Sequence, residues 1–416
     1  MSNSGVSIVI LNFNGLEHLQ NLFPSIDNLR FPNRSLELIL VDNASTDGSL
    51  EWMEQKRPDV RIVRNKTNEV FASACNKGAL AASNEWLAFV NNDMRLEPSW
   101  LETMLAAVDQ AGDKTVCGGS RILSWDGNHI DFNGGITTFY GHSFQKDNGR
   151  PIAEVATDDR PQPTLFPCGG AMLIRKDVFL EAGGFDTDYS GYFEDVDLGW
   201  RLWLLGYEVV SVPSAIVYHK GFSTYGKFPG PVHLHLCERN ALYTIYKNYS
   251  EENLSKILPA ALLLMVQRAL LHTTPYTLTI PGAGGDLSAA ASGEKGTLAE
   301  MTLGSTLKRI KDLGLREAVM RADMSLAVRN LRRNSLYPIA EKGTSILSAF
   351  TAFAKNLDKL ARSRARVQES RKRSDQEILP LFGEPFKAHP DTEEFRELTR
   401  IISRNFGIYK IFGGGA

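Results

Sequence analysis

The strongest constraint on this chain is an alternation of two hydrophobic periods in its first hundred residues. Val6–Leu11, Leu36–Val41, Arg61–Val63 and Trp86–Val90 are short apolar runs rich in β-branched residues, the pattern of strands buried on both faces. Between them, Leu16–Leu29, Ser49–Gln55, Phe71–Ser83 and Pro98–Ala111 carry helical spacing. In the last, Pro98 opens the first turn, Leu101, Met104, Leu105 and Val108 share a face, and Gly112 stops the helix. Strand–helix alternation of this kind predicts an α/β domain with a mostly parallel sheet.

Residues 113–167 change character. They are rich in Gly, Asp, Asn and Pro with scattered aromatics, which predicts short strands and long loops facing a substrate. A strand at Ala171–Arg175, a helix at Lys176–Ala182, a Gly-Gly turn, a helix at Glu194–Leu205 and a strand at Tyr207–Val212 complete a domain over residues 1–235. Residues 236–416 read as mainly α-helical to about residue 375, with a Gly-rich break at Pro281–Gly285 and no internal repeat.

Composition narrows the function classes. At 43% hydrophobic and 23% charged residues, the chain is neither disordered nor collagen-like. A net charge of −2 argues against a nucleic-acid binder. Charge is uneven, however: residues 301–416 hold 22 Lys+Arg against 13 Asp+Glu. Within them Lys355–Arg373 has eight basic and two acidic residues. That run reads as a solvated helix face, as a peripheral contact with anionic lipid, or as a subunit contact in a homo-oligomer. Four widely spaced cysteines fit a reduced compartment. The N-terminal segment has no basic n-region or cleavage site, so no signal peptide is expected. The longest apolar run, Ile257–Leu271, is shorter than the roughly 20 residues that span a bilayer. A cytoplasmic location follows as the expectation, with the inner face of the cell membrane as a peripheral alternative.

Ligands of open α/β sheets bind beyond the carboxyl ends of the strands. Three such ends are polar here: Asn12-Phe13-Asn14-Gly15, Asp42-Asn43-Ala44-Ser45-Thr46-Asp47, and Asn91-Asn92-Asp93. Singly each is turn and capping chemistry; together they mark a shared polar site. Asn91-x-Asp93 offers the oxygen donors that suit Mg²⁺ or Mn²⁺ with substrate phosphates. Farther on, Tyr192-Phe193-Glu194-Asp195-Val196-Asp197-Leu198-Gly199-Trp200-Arg201 packs three carboxylates into four residues among aromatics. Helix-dipole compensation explains one or two of them, and a partly apolar pocket leaves one as a base. His219 follows a strand, and alone such a His is structural.

In order and spacing, VSIVILNFNG, LELILVDNASTDGS, RNKTNEVFASACNKG, WLAFVNNDMRLEPSWL, CGGAMLIRKDVFLEAGGFD and YFEDVDLGWRLWLLGYEVVSVPSAIVYHKG resemble the family-2 glycosyltransferases, bacterial rhamnosyltransferase-like members above all. The resemblance covers about residues 6–221. It implies the GT-A fold and an inverting transfer dependent on Mn²⁺ or Mg²⁺. The implied donor is a nucleotide-diphosphate sugar, dTDP-L-rhamnose first and UDP-sugars as the alternative. The implied acceptor is a glycan or lipid-linked glycan of cell-surface polysaccharide synthesis. Residue by residue, it implies Asp195 as catalytic base and Asp93 and His219 as metal ligands. Asn12, Asp42, Asn43, Asn68, Asn91 and Asn92 fall at the donor, and Gly169, Gly170, Glu194, Trp200 and Arg201 around acceptor and diphosphate. One departure stands out: Asn68-Glu69-Val70-Phe71 has Val70 where the family has Gly. Two rivals are weaker. A sugar-phosphate nucleotidylyltransferase needs a Gly-rich basic loop after the first strand, and a catalytically dead binding protein has no use for intact Asp42, Asp93 and Asp195.

Overall fold

The computed structural model describes residues 5–31, 34–155, 158–221, 230–272 and 341–414. The four apolar runs form β1 (Val6–Asn12), β2 (Leu36–Asp42), β3 (Arg61–Arg64) and β4 (Trp86–Asn91). All four are parallel, with β1 between β2 and β4 and β3 beyond β2. Helices α1 (Leu16–Asp27), α2 (Ser49–Lys56) and α3 (Phe71–Ala81) cross between them. Because the strands run the same way, register aligns their polar ends: Asn12 lies opposite Asp42, and Leu11 opposite Asn91.

The sheet continues through β5 (Met94–Leu96), helix α4 (Trp100–Ala111), β6 (Thr115–Ser124), β7 (Ile130–Phe132), β8 (Gly135–Thr137), β9 (Ser143–Gln145), β10 (Gln162–Pro163), β11 (Ala171–Arg175), helices α5 (Lys176–Glu181) and α6 (Glu194–Leu204), and β12 (Glu208–His219). The main sheet runs β10-β12-β6-β11-β4-β1-β2-β3, and β8-β9 form a separate hairpin. β11 is antiparallel to both β4 and β6, whereas β12 is parallel to β6. This is the expected GT-A class, a mostly parallel sheet followed by a helical region.

Two sequence expectations change. Residues 113–167 hold a ten-residue central strand, β6, rather than short strands only. Gly118 and Gly119 interrupt its apolar run, yet both are needed. A Cβ on Gly118 would lie 2.8 Å from Met104 Sδ, and one on Gly119 2.7 Å from Pro167 Cβ. β12 runs on past Pro213 to His219, with a register shift between Val212 and Ile216 absorbing the proline. His219 therefore ends a strand and faces Met94 of β5 in register, which brings it beside Asp93.

The helical region comprises α7 (Gly230–Asn248), α8 (Glu251–Leu270), α9 (Glu341–Lys355), α10 (Leu357–Glu369), α11 (Asp375–Ile378), α12 (Glu393–Asn405) and α13 (Ile408–Ile411) among the described residues. The boundary expected at residue 235 falls inside α7. Pro281–Gly285 lies outside the described residues. No described helix is long and apolar enough to cross a membrane. The apolar run Ile257–Leu271 lies largely in α8, where Ile257, Leu258, Leu264 and Met265 join the same hydrophobic core as the sheet.

Half of the cations of the basic run Lys355–Arg373 form ion pairs within the molecule. Arg364 is buried, donates to the carbonyls of Tyr246 and Tyr249, and pairs with Glu251 at 2.9 Å. Arg371 pairs with Asp375 at 2.8 Å, Arg373 with Glu208 at 3.1 Å, and Lys359 with Asp188. These cations fasten α10 and its C-terminal extension to the rest of the molecule. Reversing Arg364, Arg371 or Arg373 would therefore undo packing, while Lys355, Arg362, Arg366 and Lys372 of the same run are exposed.

Candidate active site

At the ends of β1, β2 and β4 the polar residues satisfy one another. Asn12 is fully buried. Its Nδ2 lies within donating distance of Asp42 Oδ1 (3.3 Å), Ser45 Oγ (3.1 Å) and Ser49 Oγ (3.0 Å). Its Oδ1 accepts from Asn92 Nδ2 at 2.8 Å. Asn43 donates to Asn68 Oδ1 and to the Glu69 carbonyl, and accepts from Asn65. Asp42 Oδ2 accepts the Ser45 backbone N–H at 3.1 Å. Asn12, Asn43 and Asn92 thus hold the cradle rigid from behind, while Asn68 is exposed at its rim. Fully paired buried amides of this kind fix a unique geometry.

Asp93 sits just beyond β4 and is buried. His219 Nε2 lies 3.3 Å from Asp93 Oδ2, and its Nδ1 lies 2.6 Å from Asp131 Oδ2. Burial pulls the His219 pKa down, but hydrogen bonds to Asp131 and Asp93 and their charges outweigh it and raise it to about 10. A carboxylate on the far nitrogen of a ligating His is the usual outer partner at metal centres. Asp131, on β7, was not singled out in the sequence: it is one Asp among many in a Gly- and Asn-rich stretch. Among the described residues no cluster of three His, Cys, Asp or Glu side chains could hold a metal alone. One carboxylate and one imidazole nevertheless fit Mg²⁺ or Mn²⁺, ions that complete their shell with water and substrate phosphate.

The third component is the start of α6. Gly170 and Gly169 join it to β4: a Cβ on Gly170 would fall 2.5 Å from Asn91 Nδ2, and one on Gly169 3.3 Å from Asp195 Cβ. Gly169 N–H donates to Asp195 Oδ2 at 3.0 Å, and Val196 N–H to Oδ1 at 2.9 Å. Upstream, Gly191 (φ 127°), Tyr192 (φ 66°) and Phe193 (φ 68°) all have positive φ. For the two aromatics that costs about 1–3 kcal/mol each, a strain typical of sites where function dictates the backbone.

The three carboxylates of α6 part ways. Burial and the Asp195 charge raise the Glu194 pKa to about 8. Burial also raises Asp195, opposed by its backbone N–H donors. Glu194, whose Oε2 meets no hydrogen-bond partner, thus keeps its proton to about 8, whereas the backbone N–H donors favour the charged form of Asp195. Such a split is how paired carboxyls divide acid and base roles. For Asp197 burial acts upward, but Lys247 and Arg201 outweigh it and lower the pKa to about 2. Its oxygens lie 2.8 Å from Arg201 Nε and 2.9 Å from Lys247 Nζ. Arg201 also donates to the carbonyls of Ala182 and Gly184. Trp200 is fully buried, with Tyr249 and Phe382 edge-on at 4.8 and 5.0 Å. Trp200 and Arg201 therefore lie in the wall behind the site rather than on its surface.

Residues 7–183 match the family described as glycosyl transferase family 2. Over that segment the chain is similar to this family, and it is a glycosyltransferase. The match stops short of Glu194, Asp195 and His219. The chain is 27% identical over 241 residues to the N-acetylglucosaminyl-diphospho-decaprenol L-rhamnosyltransferase of Mycobacterium tuberculosis, covering 52% of this chain and 76% of that protein. It is 29% identical over 226 residues to the O-antigen biosynthesis protein RfbC of Myxococcus xanthus, 52% of this chain but 17% of that protein. Among solved structures it is similar to GalNAc-T7 with UDP, GalNAc and Mn²⁺, at TM-score 0.49 and 18% identity, over 62% of this chain and about half (51%) of that one.

Proposed function

We propose that the chain catalyses inverting transfer of L-rhamnose from dTDP-L-rhamnose to a hydroxyl of a lipid-linked glycan. The observation that carries the reaction type is Asp195: a half-buried carboxylate at a helix start, whose charged form the Gly169 and Val196 N–H groups favour at 3.0 and 2.9 Å, beside a Glu194 that keeps its proton to about 8. The donor and acceptor classes rest on the relationship to the mycobacterial rhamnosyltransferase.

In this reading the ends of β1 and β2 receive the nucleotide. Asp42 faces base or ribose, and Asn12 and Asn43 hold it in place. Asp93 and His219 would hold a divalent ion, with Asp131 orienting the imidazole. When bound, the ion supplies charge neutralisation for the departing diphosphate. Asp195 takes the proton of the acceptor hydroxyl as that oxygen attacks the anomeric carbon, and the C–O bond to the diphosphate breaks. Glu194, kept neutral, adds no second charge that would repel the attacking oxygen.

The test uses dTDP-L-rhamnose and an N-acetylglucosaminyl-diphospho-lipid, with UDP-sugars as comparison donors. Asp195→Asn is expected to lower kcat by about 10²–10⁴-fold with donor affinity by calorimetry unchanged. Wild-type turnover in that variant overturns the base assignment. Transfer from a UDP-sugar but not from dTDP-L-rhamnose overturns the donor.

A further inference from the structure

We propose that Asn240 of α7 is a positioning residue for the catalytic loop, which makes a helix outside the matched family segment part of the active site. Asn240 is fully buried. Its Nδ2 donates to the carbonyls of Gly191 (2.7 Å) and Tyr192 (2.8 Å), and its Oδ1 accepts from Arg239 Nε at 2.9 Å. Both amide protons are thereby used on the two residues that open the positive-φ run 191–193. That run ends one residue before Glu194 and two before Asp195, so its conformation sets where α6 begins and where both carboxyls lie.

The same face of α7 continues the grip. Asn240, Thr244, Lys247 and Asn248 fall at helical spacing and are all buried. Thr244 meets the Tyr189 hydroxyl at 2.9 Å. Lys247 bridges Asp186 and Asp197, and Asn248 donates to Asp197 at 3.1 Å. A stripe of buried polar side chains thus holds residues 186–197 at successive points, and Asn240 holds the point nearest Asp195. Without its two donors the carbonyls of Gly191, which is buried, and Tyr192, which is half-buried, lose the partner that fixes their direction, and the loop is free to turn toward other donors. That turn relaxes the left-handed pair and shifts Asp195. The inference rests on Asp195 as base, and it is tested so that the two can fail separately.

Asn240→Leu keeps the side chain's size and removes its donors; Asn240→Ser, smaller and polar, serves in its place if Leu prevents folding. In the full chain, amide hydrogen exchange of residues 191–196 is expected to accelerate at least about tenfold while exchange elsewhere keeps its pattern. With dTDP-L-rhamnose and the N-acetylglucosaminyl-diphospho-lipid, kcat is expected to fall about 10–100-fold at unchanged donor KM. The acid limb of the kcat profile should also move to lower pH as water reaches Asp195. Wild-type exchange at 191–196 overturns the proposal. So does accelerated exchange with wild-type kcat and pH profile when Asp195→Asn is inactive, because Asn240 would then be structural only. Wild-type turnover in Asp195→Asn combined with loss in Asn240→Leu supports the clamp and moves the base elsewhere on the loop.

Discussion

The two halves of the site are held by different physics. At the strand ends, Asn12, Asp42, Ser45, Ser49 and Asn92 pair among themselves and Asn43 pairs with Asn65 and Asn68, all within the first hundred residues. Amides and hydroxyls predominate there, and short loops close the network. At α6 the groups are charged, and their partners come from far along the chain. Asp197 depends on Lys247 and Asn248, and the loop before Glu194 depends on Asn240. Burying a charge such as that of Asp197 requires pairing, so the start of α6 needs a scaffold that the strand-end network does without. The polar network at the strand ends is thus self-contained, whereas the start of α6 is positioned by the helical region attached to it.

The comparison breaks most visibly at Lys247. Lys247→Met leaves Asp197 and Asp186 without their shared cation, and removing one partner of a buried pair costs about 3–5 kcal/mol. An unfolding free energy lower by about that amount is expected from urea titration, with donor affinity retained at temperatures where the variant is folded. Adding Asp197→Asn should restore part of the loss. A stable Lys247→Met, or one that loses donor binding while folded, contradicts the division into halves.

A smaller effect sharpens it on the donor side. Asp131→Asn removes the carboxylate that orients His219, and such outer partners are worth about 10–100-fold in metal affinity. Calorimetric titration of Mn²⁺ in the presence of dTDP should show that loss with the thermal midpoint little changed. Unaltered Mn²⁺ affinity would mean that Asp131 does not act through His219.

These two residues also mark what the sequence hides. β1, β2 and β4 were legible because buried parallel strands are written as continuous apolar runs, and their register then forces Asn12, Asp42 and Asn91 together. β6 was not, because Gly118 and Gly119 interrupt its run for the sake of Met104 and Pro167. Asp131 lacked any local signal, since its role exists only once β7 lies beside the end of β12 on β6. The polar stripe of α7 reads in sequence as a solvent face, and the arginines of Lys355–Arg373 as a free basic patch. The α7 stripe and Arg364, Arg371 and Arg373 of the run are engaged within the molecule. Polar residues at helical spacing do not say which side of a helix meets protein.

The subtlest contrast lies within α6 itself, where neighbouring carboxyls should push stability in opposite directions with pH. Glu194 is raised from 4.5 to about 8, so the folded state keeps a proton that the unfolded chain releases above pH 4.5. Its contribution is full below pH 4.5 and is lost as pH rises through 8. Asp195 is shifted the same way. Asp197 is lowered from 3.8 to about 2, so its contribution is present above pH 3.8 and is lost as pH falls through 2. Between pH 5 and 8 only the first effect operates, with a slope of at most about 1.4 kcal/mol per pH unit for one proton. Glu194→Gln keeps a neutral group in place and should remove that slope. The variant is therefore expected to gain stability relative to wild type as urea midpoints are followed from pH 5 to pH 8. Parallel curves for the two proteins would mean that Glu194 does not keep its proton to about 8.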